Sequence, residues 1–70
     1  MTLLEILKEN RWTITEFAKR INVSRQYLYR VAEGKKKPSK ELVEKMALLL
    51  QTSQEKVRKA IREAKNQTKN

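Results

Sequence analysis

Ser24-Arg25-Gln26-Tyr27-Leu28-Tyr29-Arg30 sets several directional hydrogen-bonding groups behind one serine. A helix turns by about 100° per residue, so Arg25, Gln26, Tyr29 and Arg30 share one arc while Leu28 and Val31 point the other way. An arginine guanidinium can take both major-groove acceptors of guanine, and a glutamine amide can pair with adenine in the same two-point manner. Both follow Ser24, a residue type that caps helix N-termini. In recognition helices the N-terminal residues are the ones that meet the bases. Tyr27 and Tyr29 add hydroxyls for phosphate and rings for a thymine methyl. The expected roles are base contact for Arg25, Gln26 and Tyr29, and backbone or flanking contact for Tyr27 and Arg30. The competing reading of this face is a solvated surface, against which two exposed tyrosines weigh.

A lysine run, Lys35-Lys36-Lys37, follows the only glycine, Gly34, and precedes the only proline, Pro38. Cations at a helix C-terminus interact favourably with its dipole. They also suit phosphate contact, which gives affinity without reading sequence. The two readings are compatible. Thr13, Thr15, Ser24 and Ser39 can likewise offer hydroxyls or helix-terminal amides to phosphates while capping their own helices.

Catalysis is not expected. The chain has no histidine and no cysteine, and all 8 acidic residues are glutamates. Glu16, Glu41 and Glu55 fall in first helical turns, where the dipole favours them. Glu33, Glu44 and Glu63 fit exposed faces beside Lys or Arg. Without Cys or His there is no zinc staple, and no glycine-rich phosphate loop is present, so no metal or cofactor is expected.

The elements that must position these groups follow from composition and punctuation. Seventy residues suffice for one domain, and one Gly, one Pro and abundant Leu, Lys, Glu, Arg and Ala point to an all-α protein. Seventeen Lys and Arg against 8 Glu give +9 and a pI near 10.2, which suggests an anionic partner: DNA, RNA or a membrane surface. No apolar run nears the roughly 18 residues of a membrane span, and no signal peptide is visible, so a cytoplasmic location is expected. The patterning predicts five short helices. The first covers Thr2 to Glu9, with Leu3, Ile6 and Leu7 buried, and Asn10-Arg11 ends it through a left-handed Asn. The second opens at Thr13 with a capping box to Glu16 and a Trp12–Phe17 staple, running to about Ile21. Asn22 supplies a positive-φ turn and Ser24 caps the third, Arg25 to about Glu33, which stops at Gly34. Ser39 caps the fourth, Lys40 to about Gln51, buried through Leu42, Val43, Met46, Ala47, Leu49 and Leu50. Thr52-Ser53 caps the fifth, with Val57, Ala60, Ile61 and Ala64 as a thin stripe. The domain is expected over residues 1–65, with a polar tail at 66–70.

The run TITEFAKRINVSRQYLYRVAEGKKKPS carries a family resemblance. Its packing positions Phe17-Ala18, Ile21, Val23, Leu28 and Val31 match those of the Cro/phage-repressor (XRE-type) helix-turn-helix family, as does the loop Glu33-Gly34-Lys-Lys-Lys-Pro38-Ser39. From about Leu3 to Ile61 the chain resembles that family. The resemblance implies a compact five-helix, lambda-repressor-like domain with its helix-turn-helix at the second and third helices. It also implies dimeric binding to a palindromic operator and transcriptional regulation. By position, Arg25, Gln26 and Tyr29 match base-contacting sites, and the Lys35–Lys37 loop a backbone-contacting one. The chain departs from the pattern at Ile14, where Gln is common, and at Arg11, Asn22 and Gln51, where Gly is common. Leu48 stands at a usually polar position, and the fifth helix is extended.

The last two departures suggest an apolar patch shared by two copies, built on Leu48 and Ile61 with Val57 and Leu4 as further members. The competing reading is that Val57 and Ile61 only close the fifth helix onto the core. The functional expectation is a repressor or Cro-like switch protein binding double-stranded DNA as a homodimer, with a regulatory protein partner possible in principle. The rival class is a protein-binding antitoxin or antirepressor on the same fold. RNA binding and membrane-surface binding have less to support them: there is no sheet platform, and the fifth helix has a narrow apolar face without aromatics.

Overall fold

A computed structural model describes residues 1–67 of the chain, with side chains through Lys65. Among these residues there are five α-helices and no strand: α1 Leu3–Glu9, α2 Ile14–Arg20, α3 Arg25–Ala32, α4 Lys40–Leu49 and α5 Gln54–Gln67. The all-α, five-helix expectation is met. Of the residues expected as a tail, Asn66 and Gln67 belong to α5, and 68–70 lie outside the described residues.

Every helix begins on a hydroxyl. Thr2, Thr13, Ser24, Ser39 and Ser53 each accept a hydrogen bond from the backbone amide three residues on, at 3.0–3.3 Å. Each satisfies one of the orphan donors that a helix start leaves. The reciprocal capping box, however, lies at α1 rather than at α2. Glu5 Oε1 accepts from the Thr2 amide at 2.8 Å, whereas at α2 only the Thr13 half of the pair is present. Bonds from the Thr2 backbone and hydroxyl favour the ionised carboxylate and hold the Glu5 pKa below its ordinary value of 4.5.

The first four helices also share one ending. Arg11, Asn22, Gly34 and Gln51 take φ of 61°, 60°, 79° and 53°. In each case the next residue's amide bonds five residues back: Trp12 to Leu7, Val23 to Ala18, Lys35 to Arg30 and Thr52 to Ala47, at 2.9–3.0 Å. This is the Schellman closure, whose left-handed residue is usually glycine. The expected turn at Asn22 is therefore present. At the end of α1 the left-handed residue is Arg11, not Asn10, which stays at φ −91° and uses its side-chain amide to bond the Ile6 carbonyl at 2.8 Å. The positions where the family favours glycine are thus left-handed positions, and three of them carry side chains here.

The core is made of Leu3, Leu7, Phe17, Ala18, Ile21, Leu28, Val31 and Ala32 from the first three helices and the α2–α3 turn. The C-terminal half adds Leu42, Val43, Met46, Ala47, Leu50, Val57 and Ala60. No polar or charged side chain is buried among the described residues. Trp12 meets Phe17 edge to face, with centroids 5.2 Å apart, so the expected staple forms; the Arg20 guanidinium lies 5.8 Å from the Trp12 ring centroid. Ile6 and Leu49, expected in the core, are only half-buried. Val57 is fully buried and serves the core, as its competing reading held. On α5, Val57, Ala60 and Ala64 recur at helical spacing, and the alanines let that helix lie close to its neighbours α4, α1 and α3. Glu63 pairs with the Met1 ammonium across the α1–α5 junction rather than with a neighbouring Lys or Arg.

At Gly34 the chain passes close under α5. A Cβ built there would stand 2.6 Å from Lys65 Cβ and 3.0 Å from its Cα. Glycine is required twice at this position, for the left-handed φ and for the clearance under α5. By contrast Gln51 needs only the φ, and a left-handed conformation costs a side-chain-bearing residue about 1–2 kcal/mol, partly offset by the entropy of a glycine replacement. In urea unfolding, Gln51→Gly is expected to stabilise the fold by about 0.5–1 kcal/mol, and Gly34→Ala to destabilise it by about 2 kcal/mol or more. Equal effects at the two positions would contradict this assignment.

Candidate nucleic-acid interface

The polar face of α3 is positioned by its opposite face. Leu28 and Val31 are fully buried and Ala32 nearly so, leaving Arg25, Gln26, Tyr29 and Arg30 exposed along the other side. Arg25 and Gln26 are the first two residues of the helix, immediately after Ser24 at φ −73°, ψ 153°. Their side chains therefore leave the fold where the amides of the first turn point outward, the end that favours an anion. Tyr29, 43% exposed, follows one turn later on the same side. The predicted readers thus share one solvent-facing strip.

Tyr27 departs from expectation. It is half-buried against the core, not one of two exposed tyrosines, because its place between Gln26 and Leu28 turns its ring toward α4. It lines a groove together with Asn22, Ser24, Ser39, Glu41 and Lys45. The start of α3 and the start of α4 therefore flank one concavity, with Tyr27 between them. Ser24 and Ser39 each accept one backbone hydrogen bond as caps, and their hydroxyl hydrogens can still be donated to an incoming acceptor. Thr13 caps α2 in the same way, and Thr15 is exposed in its first turn. Lys45 was not among the expected residues. Its spacing of four from Glu41 on α4 was the available signal that it faces the start of that helix.

The lysine run is a loop held at both ends. The amides of Lys35 and Lys36 bond the Arg30 carbonyl at 2.9 and 3.3 Å, and Pro38 is half-buried before the Ser39 cap. Lys35 also approaches Glu33 at 3.7 Å, an exposed pair of small energetic weight. All three lysines remain exposed. Lys36 and Lys37 border a second groove, toward α5, rather than the one that contains Ser24 and Ser39. The expected backbone contacts are thus not gathered in one place: Ser24, Tyr27 and Ser39 line one concavity, Lys36 and Lys37 the other, and Thr13, Thr15, Arg30 and Lys35 line neither.

Ile14 gains a structural explanation. Where Gln is common it is half-buried against the core, so this position contributes packing, and the exposed polar groups at the start of α2 are Thr13, Thr15 and Glu16.

A helix-turn-helix family model matches residues 3–56, most of the chain and all of α1 to α4. The chain belongs to the Cro/phage-repressor (XRE-type) helix-turn-helix family. Members of this family are DNA-binding transcription regulators, generally without enzymatic activity. No curated protein and no solved structure matches the chain. No helix among the described residues is long and apolar enough to cross a membrane. The family match ends inside the first turn of α5, so most of that helix lies beyond the matched part.

The two tyrosines give a direct check on the geometry. Tyr27→Ala removes a half-buried ring and is expected to cost about 1–3 kcal/mol in thermal or urea unfolding, whereas Tyr29→Ala should stay within about 0.5 kcal/mol of the parent chain. The reverse order would mean that the face assigned to α3 is rotated.

Proposed function

We propose that this chain is a sequence-specific repressor or Cro-like switch protein of the cytoplasm, reading double-stranded DNA with α3. The observation that carries the proposal is the pairing on α3 of a buried apolar face with exposed Arg25 and Gln26 at its capped start. Arg25 and Gln26 take base edges, and Tyr29 adds a ring or hydroxyl contact one turn further. Ser24, Thr13, Thr15, Ser39 and Arg30 hold the phosphates around the groove, and Tyr27 acts by seating the α3–α4 junction, with its hydroxyl as a flanking donor. Lys35, Lys36 and Lys37 supply grip that does not depend on sequence. The net charge of +9 supports the same reading.

A second copy would place two such helices on a palindrome with half-sites about 34 Å apart. Of the residues expected at a dimer contact, Leu48 is 78% exposed and Leu4 38%, while Val57 is fully buried and Ile61 is half-buried among cations in the groove beside the lysine loop. Leu48 is therefore the contact we propose, since water-exposed leucine gains most from a partner surface. In a sedimentation series, Leu48→Glu is expected to shift association to higher concentration; wild type and variant with the same association behaviour would remove Leu48 from the interface.

Contact type predicts mutational signature. Arg25→Ala and Gln26→Ala should each weaken operator binding by about 1–3 kcal/mol and relax preference at one base position. Replacing Lys36 or Lys37 by Ala should weaken all duplexes alike and reduce the salt slope by about 1 for each phosphate no longer neutralised. Anisotropy titrations over a range of salt separate the two classes. Unchanged affinity and base preference in both α3 variants would reject reading by this helix.

A further inference from the structure

The second groove lies between the lysine loop with the start of α4 on one side and α5 on the other, with a volume of about 630 Å³. Its floor is apolar: Val43 is buried, and Pro38 and Ile61 are half-buried. Its rim is cationic, with exposed Lys36 and Lys37 facing exposed Arg58 and Arg62. None of the described residues that line it is acidic. The α5 wall runs from Arg58 to Lys65, roughly 10 Å of helix axis at 1.5 Å per residue. That length accommodates about two turns of an opposing helix.

We propose that this groove docks an acidic, amphipathic helical segment of a protein partner. Charge complementarity selects the occupant. Carboxylates on one face of the segment meet Lys36, Lys37, Arg58 and Arg62, and apolar anchors three or four residues apart cover Ile61, Pro38 and the edge of Val43. A duplex would satisfy the rim but has no apolar group aligned with its phosphates to cover the floor. A second copy is disfavoured because a two-fold contact sets each patch against itself, bringing cation against cation. The groove is also built by the part of α5 outside the family match, held close to the α3–α4 loop by the Gly34–Lys65 approach. The site itself does not depend on the DNA reading. If that reading holds, a seated partner takes Lys36 and Lys37 from the phosphates, so partner and operator compete.

The test uses the full chain and three labelled peptides of fourteen residues. The first repeats Glu-Glu-Leu-Leu-Glu-Glu-Leu; the second replaces every Leu by Ser; the third replaces every Glu by Gln. Anisotropy at physiological salt is expected to show saturable binding of the first, with at least tenfold weaker binding of the other two. The double variant Arg58→Glu, Arg62→Glu, at exposed positions, should weaken the first peptide at least tenfold while circular dichroism and melting stay those of the parent. Equal binding of the first two peptides would reduce the groove to an electrostatic surface and overturn the proposal. So would unchanged affinity in the double variant, or no peptide binding together with a change in self-association in that variant, which would assign the groove to a second copy. Since no operator is used, failure here is distinct from failure of DNA reading.

Discussion

The arrangement depends most on one backbone choice, the left-handed residue between α2 and α3. At Asn22 the chain turns back on itself, Val23 closes α2 by bonding the Ala18 carbonyl at 3.0 Å, and Ser24 opens α3 at once. With so short a connection, the relative direction of the two helices is set by local hydrogen bonding, and Phe17, Ile21, Leu28 and Val31 need only fill the space it leaves. Asparagine meets this demand without glycine because its short polar side chain tolerates the left-handed region. The same closure recurs at Arg11, Gly34 and Gln51. The small fold is thus a set of rigid corners joined by helices of seven to fourteen residues.

On this frame apolar and charged groups separate in a functionally useful way. Burial on one side of α3 exposes Arg25 and Gln26 on the other, and no polar group is buried among the described residues. Lys36, Lys37, Lys40, Arg58, Arg62 and Lys65 gather along one groove, while Lys45 and Glu41 share the other. One concavity joins the starts of α3 and α4, where helix amides and Ser hydroxyls suit phosphate. The other joins the lysine loop to α5, where the floor is apolar. The two grooves differ in chemistry: the first is polar and holds charges of both signs, Glu41 and Lys45, and the second is cationic over an apolar floor.

Much of this was legible in the sequence because the signals are local. Ser and Thr before apolar-periodic segments located the starts of α2 to α5, whereas Thr2, read as the first residue of its helix, is the cap of α1; Asn22 and Gly34 located two ends. Less local features were harder to read. Glu5 completes a capping box and Glu16 does not, although both sit three residues after a threonine, because box closure depends on side-chain rotamers as well as spacing. The left-handed Arg11 and Gln51 are invisible to propensity, since neither residue type prefers that conformation; only the family's glycine at those positions marks them. Tyr27 looked like part of the exposed face because its depth depends on where α4 lies, a long-range fact. The groove beside α5 requires Gly34 and Lys65 to approach across about thirty residues of chain, which no local pattern encodes.

The central claim is that the first turn of α3 reads base sequence. In vitro selection of bound duplexes from a random library, run in parallel on the parent chain and on Gln26→Ala, tests it most directly. The account predicts that the parent enriches a palindrome with half-sites about one helical turn apart, and that the variant enriches the same palindrome with one symmetric position per half-site relaxed. Enrichment of no motif by the parent, or of an identical motif by both proteins, would contradict it.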